Sequence, residues 1–97
     1  MIACEFHPAA KQEFEDAAAY YDSCGLGLGD KFVTAIKETI NRIEKFPGVW
    51  PLLSNATRRC RTPRFPYGVV YQVEPQRILI LAVMHLHRRP GYWVDRI

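Results

Sequence analysis

The second half of the chain carries eight basic residues, and every one is arginine: Arg58, Arg59, Arg61, Arg64, Arg77, Arg88, Arg89 and Arg96. Residues 49–97 hold two acids, Glu74 and Asp95, for a net charge of +6, whereas residues 1–48 hold five basic and eight acidic residues, for −3. A guanidinium is a planar fork that meets a carboxylate or phosphate with two hydrogen bonds at once, while an ammonium is a hydrated point charge. An arginine-only half is therefore expected to hold an anion, either nucleic acid or an acidic protein segment. His85 and His87 add an imidazole pair, and imidazole is suited to proton transfer near neutral pH. Two histidines without further ligands at suitable spacing do not make a zinc pattern, so neither a metal nor a cofactor is expected.

Other residues with chemical potential carry less. Cys4, Cys24 and Cys60 are odd in number and far apart, which fits neither a disulfide framework nor a metal motif, and each reads as a small apolar residue in a reducing compartment. The run Gly25-Leu26-Gly27-Leu28-Gly29 has no Lys-Ser/Thr after it and no strand before it, so it is a connector and not a phosphate loop.

The elements that must position these residues are legible from periodicity. Met1–Phe6 is short, apolar and β-compatible. Pro8 suits a first helical turn. Phe14, Ala17/Ala18 and Tyr21 then recur at steps of three and four, which predicts a helix from Pro8 to about Cys24, closed by Gly25 in a left-handed conformation. Asp30 is the expected cap of a second helix, whose apolar face is Phe32/Val33, Ile36, Ile40, Ile43 and then Phe46 and which stops before Pro47. Three strands follow over 58–64, 67–74 and 77–85. Tyr67, Val69, Tyr71 and Val73 share one face of the middle strand, with Tyr71 expected in the core. The nearly all-apolar last strand reads as central. The tail 88–97 reads as a loop or one helical turn, with Trp93 pinning it to the sheet. The order β-α-α-β-β-β predicts an α+β domain: a helical hairpin on one face of a four-stranded sheet, the other face partly open and bearing the arginines.

Length and composition bound the alternatives. With 97 residues, 48% hydrophobic and 24% charged, the chain makes one globular domain over residues 1–97, too short for a two-domain enzyme. The longest apolar run, Ile78–Met84, is seven residues, far short of the roughly 20 that a membrane helix needs. The opening MIACEFHP lacks a basic region followed by an apolar stretch, so no secretory signal is expected.

Several pieces, in order, resemble one family. Phe6-x-Pro8, Ala17-x-x-Tyr20-Tyr21, Leu26-Gly27 with Phe32 after it, and Ile43-x-x-x-Pro47 are similar to the first half of the RelE/ParE toxin superfamily. Arg64-Phe65-Pro66-Tyr67-x-Val69-Val70-Tyr71-Gln72-Val73, Ile78-x-Ile80-Leu81-Ala82-Val83-x-His85 and Arg88-Arg89-Pro90-x-x-Trp93 are similar to the second half. The resemblance covers nearly the whole chain. It implies a mainly antiparallel sheet and a small cytoplasmic bacterial toxin of a type II toxin–antitoxin (plasmid stabilization) pair, neutralised by direct binding of a cognate antitoxin. It implies no membrane and no small-molecule substrate. RelE-like members cleave mRNA on the ribosome, whereas ParE-like members inhibit DNA gyrase, and the fold does not choose between them.

RNA cleavage by 2′-OH attack needs a base, a cation for the crowded phosphate and an acid for the leaving oxygen. His85, Arg64, Arg88 and Tyr92, with Arg61, would be the catalytic candidates of a nuclease. RelE-like ribonucleases, however, carry arginines where this chain has Gly68 and Leu86, and the Phe-Pro-Tyr and His-x-x-Arg-Arg-Pro-x-x-Trp pieces resemble ParE-like chains more. The favoured expectation is a ParE-like inhibitor without a catalytic site. The alternatives are a ribosome-dependent mRNA endonuclease and a non-toxic adaptor of the same fold. The surface expected to bind target or antitoxin comprises Arg58, Arg59, Arg61, Arg64, Arg88, Arg89 and Trp93.

Overall fold

The computed structural model describes residues 2–96; the first residue of the expected opening strand lies outside them. The chain runs β1 (Cys4–Phe6), α1 (Pro8–Cys24), α2 (Leu28–Lys45), β2 (Thr57–Arg61), β3 (Tyr67–Val73) and β4 (Ile78–His85), and ends in a short 3-10 turn at Val94–Arg96. The sheet order is β1-β4-β3-β2. β1 runs parallel to β4, and the other two pairings are antiparallel. β4, the most apolar strand, is therefore central, and the expected α+β architecture is the one formed.

α1 starts where Pro8 removes an N–H that has no helical partner, and His7 caps it by accepting from the Ala9 N–H at 3.0 Å. Gly25 ends it, but in an extended conformation; the left-handed residue is Gly27, with φ of 75°. α2 thus begins at Leu28, two residues before the expected cap. Asp30 sits inside its first turn, and the capping acceptor is Asp22 of α1, which takes the Gly29 N–H at 3.1 Å. Gly29 is buried at this crossing: a Cβ there would lie 2.7 Å from the Ala18 carbonyl oxygen. α2 buries Phe32, Ala35, Ile36, Thr39 and Ile43, and Phe46 follows it as the C-cap before Pro47.

Two apolar clusters sandwich the sheet. On the helical side, Ala10, Ala17, Phe32, Ile36 and Ile43 meet Cys60, Val69, Tyr71, Ile78, Ile80 and Val83. Phe65 and Tyr67, which flank Pro66, join this side through rings 5.2 and 5.0 Å from Phe32. On the other side, Val70, Leu79, Leu81, Ala82 and Met84 are covered by Trp93, with Tyr92 beside it. A bulge opposite Val70/Tyr71 leaves Leu81 extra in β4, so that Leu81 and Ala82 both serve the second cluster. The expectation of a partly open second face is corrected here. The tail folds back over it, and Trp93 is 3% exposed.

Tyr71 is fully buried, and its hydroxyl donates to the Pro47 carbonyl, tying the loop after α2 to the sheet. Burial pushes this phenol up to about 12, with the nearby Arg58 pulling the other way. The raised value means that the folded state favours the neutral phenol. The contribution is therefore intact below pH 10 and is lost as pH climbs from about 10 towards 12. Urea unfolding should show a midpoint that falls above about pH 10. Tyr71→Phe should make that fall shallower, at a cost of about 1 kcal/mol at neutral pH for the lost hydrogen bond.

Candidate functional site

The arginines of the second half separate into those spent on the fold and those left free. Three are spent around β4 and the tail or on the loop before β2. β1 pairs only with Ile78–Ile80, so the rest of β4's edge has no strand beside it. Side chains take the strand's place: Glu13 of α1 accepts from the Val83 N–H at 3.1 Å, and Arg96 donates to the Leu81 carbonyl at 2.9 Å. The two side chains also form a fork-to-fork pair, with both nitrogen–oxygen distances 3.0 Å. Arg88 lies 3.5 Å from the same carboxylate and stacks 3.7 Å above the Tyr92 ring. Arg58, which shares the helical face of β2 with Cys60, donates to the Trp50 carbonyl at 2.7 Å. Arg77 forms a surface pair with Glu74 in the β3–β4 turn.

Arg59, Arg61, Arg64 and Arg89 make no ion pair among the described residues. Arg59 and Arg61 point from the edge strand β2 to the face opposite the helices. The stem of Arg59 lies across Gly68, where a Cβ would come within 2.9 Å of it. With Trp50, Pro51 and Arg42 of α2, these two arginines line a cavity of about 250 Å³. Arg42 escapes sequence reasoning because it lies in the acidic half. Its only signal is a place beside the buried Thr39 and Ile43 stripe, close in sequence to Trp50. It donates to the Arg61 carbonyl at 3.1 Å and sits 5.5 Å from the Trp50 ring centre. Arg64 is exposed in the β2–β3 turn with φ of 69°, an unusual left-handed conformation for a side chain of this size. Arg89 is exposed in the turn after β4. The fold thus divides the expected arginine surface: Arg58 is hydrogen-bonded to a loop carbonyl, Trp93 is buried, Arg88 is half engaged, and Arg59, Arg61, Arg64 and Arg89 make no ion pair among the described residues.

The structure brings two of the catalytic candidates to one cavity, beside two acidic side chains. His85 and Arg88 share a cavity of about 270 Å³ with Glu13, Asp16, Tyr20 and Tyr67, whose two carboxylates oppose a phosphodiester. His85 uses Nδ1 to accept from the His87 N–H at 3.1 Å. The Tyr92 hydroxyl is buried; burial first, then the neighbouring Glu13, pushes its phenol well above the ordinary tyrosine range. Arg61 and Arg64 belong to the β2 strand and its turn. Cys60 is buried with its thiol pushed up by burial, and burial with the adjacent Glu44 pushes Cys4 up to about 12, so neither is poised as a nucleophile. Among the described residues, no group of three His, Cys, Asp or Glu side chains is arranged to hold a metal ion, and no helix is long and apolar enough to cross a membrane.

A helical hairpin on a sheet ordered β1-β4-β3-β2 is the α+β arrangement that the resemblance to the RelE/ParE superfamily implies. The model of the family described as the ParE toxin of the type II toxin–antitoxin system parDE matches residues 4–90, and the chain belongs to that family. A solved structure described as a chromosomal ParDE toxin–antitoxin system from P. aeruginosa is similar in fold, with a TM-score of 0.64 and 16% identity over 88% of this chain and 96% of that one. No curated protein sequence matches the chain.

The Glu13–Arg96 pair is testable by stability alone. Both side chains are under one-fifth exposed, so Glu13→Gln leaves a nearly buried guanidinium without its counter-charge. It should cost about 2–3 kcal/mol in urea unfolding. Arg88→Ala, at a half-exposed position, should cost under about 1 kcal/mol.

Proposed function

We propose that this toxin acts in the cytoplasm as a ParE-like inhibitor of DNA gyrase and is silenced by direct binding of a cognate antitoxin. The observation that carries the reading is the match of the ParE family model to residues 4–90. Its support from geometry is that two of the groups a ribonuclease would need are engaged otherwise, Tyr92 by burial and Arg88 by Glu13 and Tyr92, and that the cavity beside His85 is lined by two carboxylates. An inhibitor that works by docking needs no proton-transfer groups. It needs a surface of defined charge, and Arg59, Arg61, Arg64 and Arg89 supply four guanidinium groups free of intramolecular ion pairs among the described residues. Antitoxin and target would compete for part of that surface, which makes neutralisation a matter of occupancy. A disordered acidic segment that orders over the helical hairpin and the turn arginines Arg64 and Arg89 suits such competition.

A gyrase supercoiling assay run beside an in vitro translation reaction tests this. Purified protein should block supercoiling and leave mRNA uncut. Combined Arg59→Gln, Arg61→Gln and Arg64→Gln should weaken the block by about ten-fold or more, equivalent to at least about 1.4 kcal/mol, with the melting temperature unchanged. Cut mRNA with unaffected supercoiling would assign the endonuclease activity instead, and no effect in either reaction would assign an adaptor.

A further inference from the structure

We propose that the β2 edge is a phosphodiester-binding site, through which the protein touches nucleic acid directly, with Arg42, Arg59 and Arg61 as the contacting residues. The three guanidinium groups line one cavity of about 250 Å³ with Trp50 and Pro51. None of them lies within ion-pair distance of a carboxylate among the described residues, in contrast to Arg77, Arg88 and Arg96. The site is also partly built. Arg42 is held by the Arg61 carbonyl, by the Thr39 hydroxyl at 3.4 Å and by the Trp50 ring, and the Arg59 stem is laid across Gly68. Trp50 adds a buried Nε1–H that has no acceptor among the described residues. Guanidinium groups interleaved with an aromatic side chain are the usual chemistry of a groove that tracks a nucleic-acid backbone.

The backbone of the edge decides between nucleic acid and an acidic peptide. In an antiparallel ladder alternate residues turn both backbone groups outward, and on β2 these are Thr57, Arg59 and Arg61. The protein itself already occupies one outward group on each of the three. Leu53 N–H donates to the Thr57 carbonyl at 2.8 Å, Arg59 N–H donates to the Pro51 carbonyl at 3.0 Å, and Arg42 takes the Arg61 carbonyl. A peptide that added as a further strand would have to displace these bonds. A ligand recognised by side-chain charge alone leaves them intact, and a phosphodiester chain is such a ligand.

The test measures fluorescence anisotropy of a labelled DNA oligonucleotide of about 20 nucleotides, single-stranded or duplex, with the intact protein and no gyrase present. It therefore stands or falls separately from the gyrase reading. Between about 50 and 200 mM salt, log affinity against log salt should have a slope of about −2 to −3, the value for three neutralised phosphates. Arg42→Gln, Arg59→Gln and Arg61→Gln should each weaken binding and reduce the slope by about 1. Arg77→Gln should leave both unchanged, and melting temperatures would confirm that all four variants fold. Absence of binding at about 50 mM salt, or equal binding by the three variants and the parent, would overturn the proposal. So would competition by poly-L-glutamate as effective, per charge, as that by unlabelled oligonucleotide, since this would identify an acidic-peptide site.

Discussion

The structure depends on how the free edge of its central strand is closed. β4 supplies both apolar clusters, yet its parallel neighbour β1 is only three residues long. Beyond Ile80 the strand would present unpaired backbone groups in a partly buried seam, which is costly. A carboxylate from α1 and a guanidinium from the tail close the gap. Glu13 acts as the missing acceptor, Arg96 as the missing donor, and each neutralises the other. One ion pair thus fastens three parts of the molecule that are remote in sequence: the helical hairpin, the sheet and the C-terminal segment. Because Arg96 is anchored, Trp93 three residues earlier is drawn over the second apolar face, which would otherwise lie open to water.

This closure also decides which charges are left for function. A net charge of +3 implies little about where a partner binds. The fold does the sorting. Arg96 and Arg58 are hydrogen-bonded inside the structure, Arg88 is shared between Glu13 and Tyr92, Arg77 pairs with Glu74, and Arg59, Arg61, Arg64 and Arg89 are left on β2 and on the turns that follow β2 and β4. The rigid scaffold accordingly presents its available charge along the edge farthest in the sheet from β1, where the loop 50–53 already caps the strand. Recognition there is by side chains held on a stiff frame, the arrangement that limits the entropy lost on binding.

Much of the architecture was legible because it is written in local signals. Pro8 and the Gly25 stop bound α1 to the residue, and the 3-4 spacing of Phe32, Ile36 and Ile43 marks the buried stripe of α2. What was not legible depends on distant partners. α2 starts early because its capping acceptor, Asp22, belongs to the preceding helix. β2 stops at Arg61 because Thr62–Pro66 form a turn in which Arg64 is left-handed, a conformation that its sequence does not advertise. Arg96 finds its carboxylate 83 positions away, so an arginine-rich tail that reads as a docking surface is in large part a latch. Arg42 is the converse, a helix residue in an acidic half that the fold carries to the arginines of β2.

The division between latched and free arginines can be measured directly by the rate at which each guanidinium reacts with phenylglyoxal, resolved by mass spectrometry in the native and urea-unfolded protein. Arg59, Arg61, Arg64 and Arg89 should react in the native state nearly as fast as when unfolded, whereas Arg96 and Arg58 should be strongly protected. Native Arg96 reacting as fast as Arg61 would contradict the assignment of the tail arginine to the fold and, with it, the restriction of the functional surface to the β2 edge and its neighbouring turns.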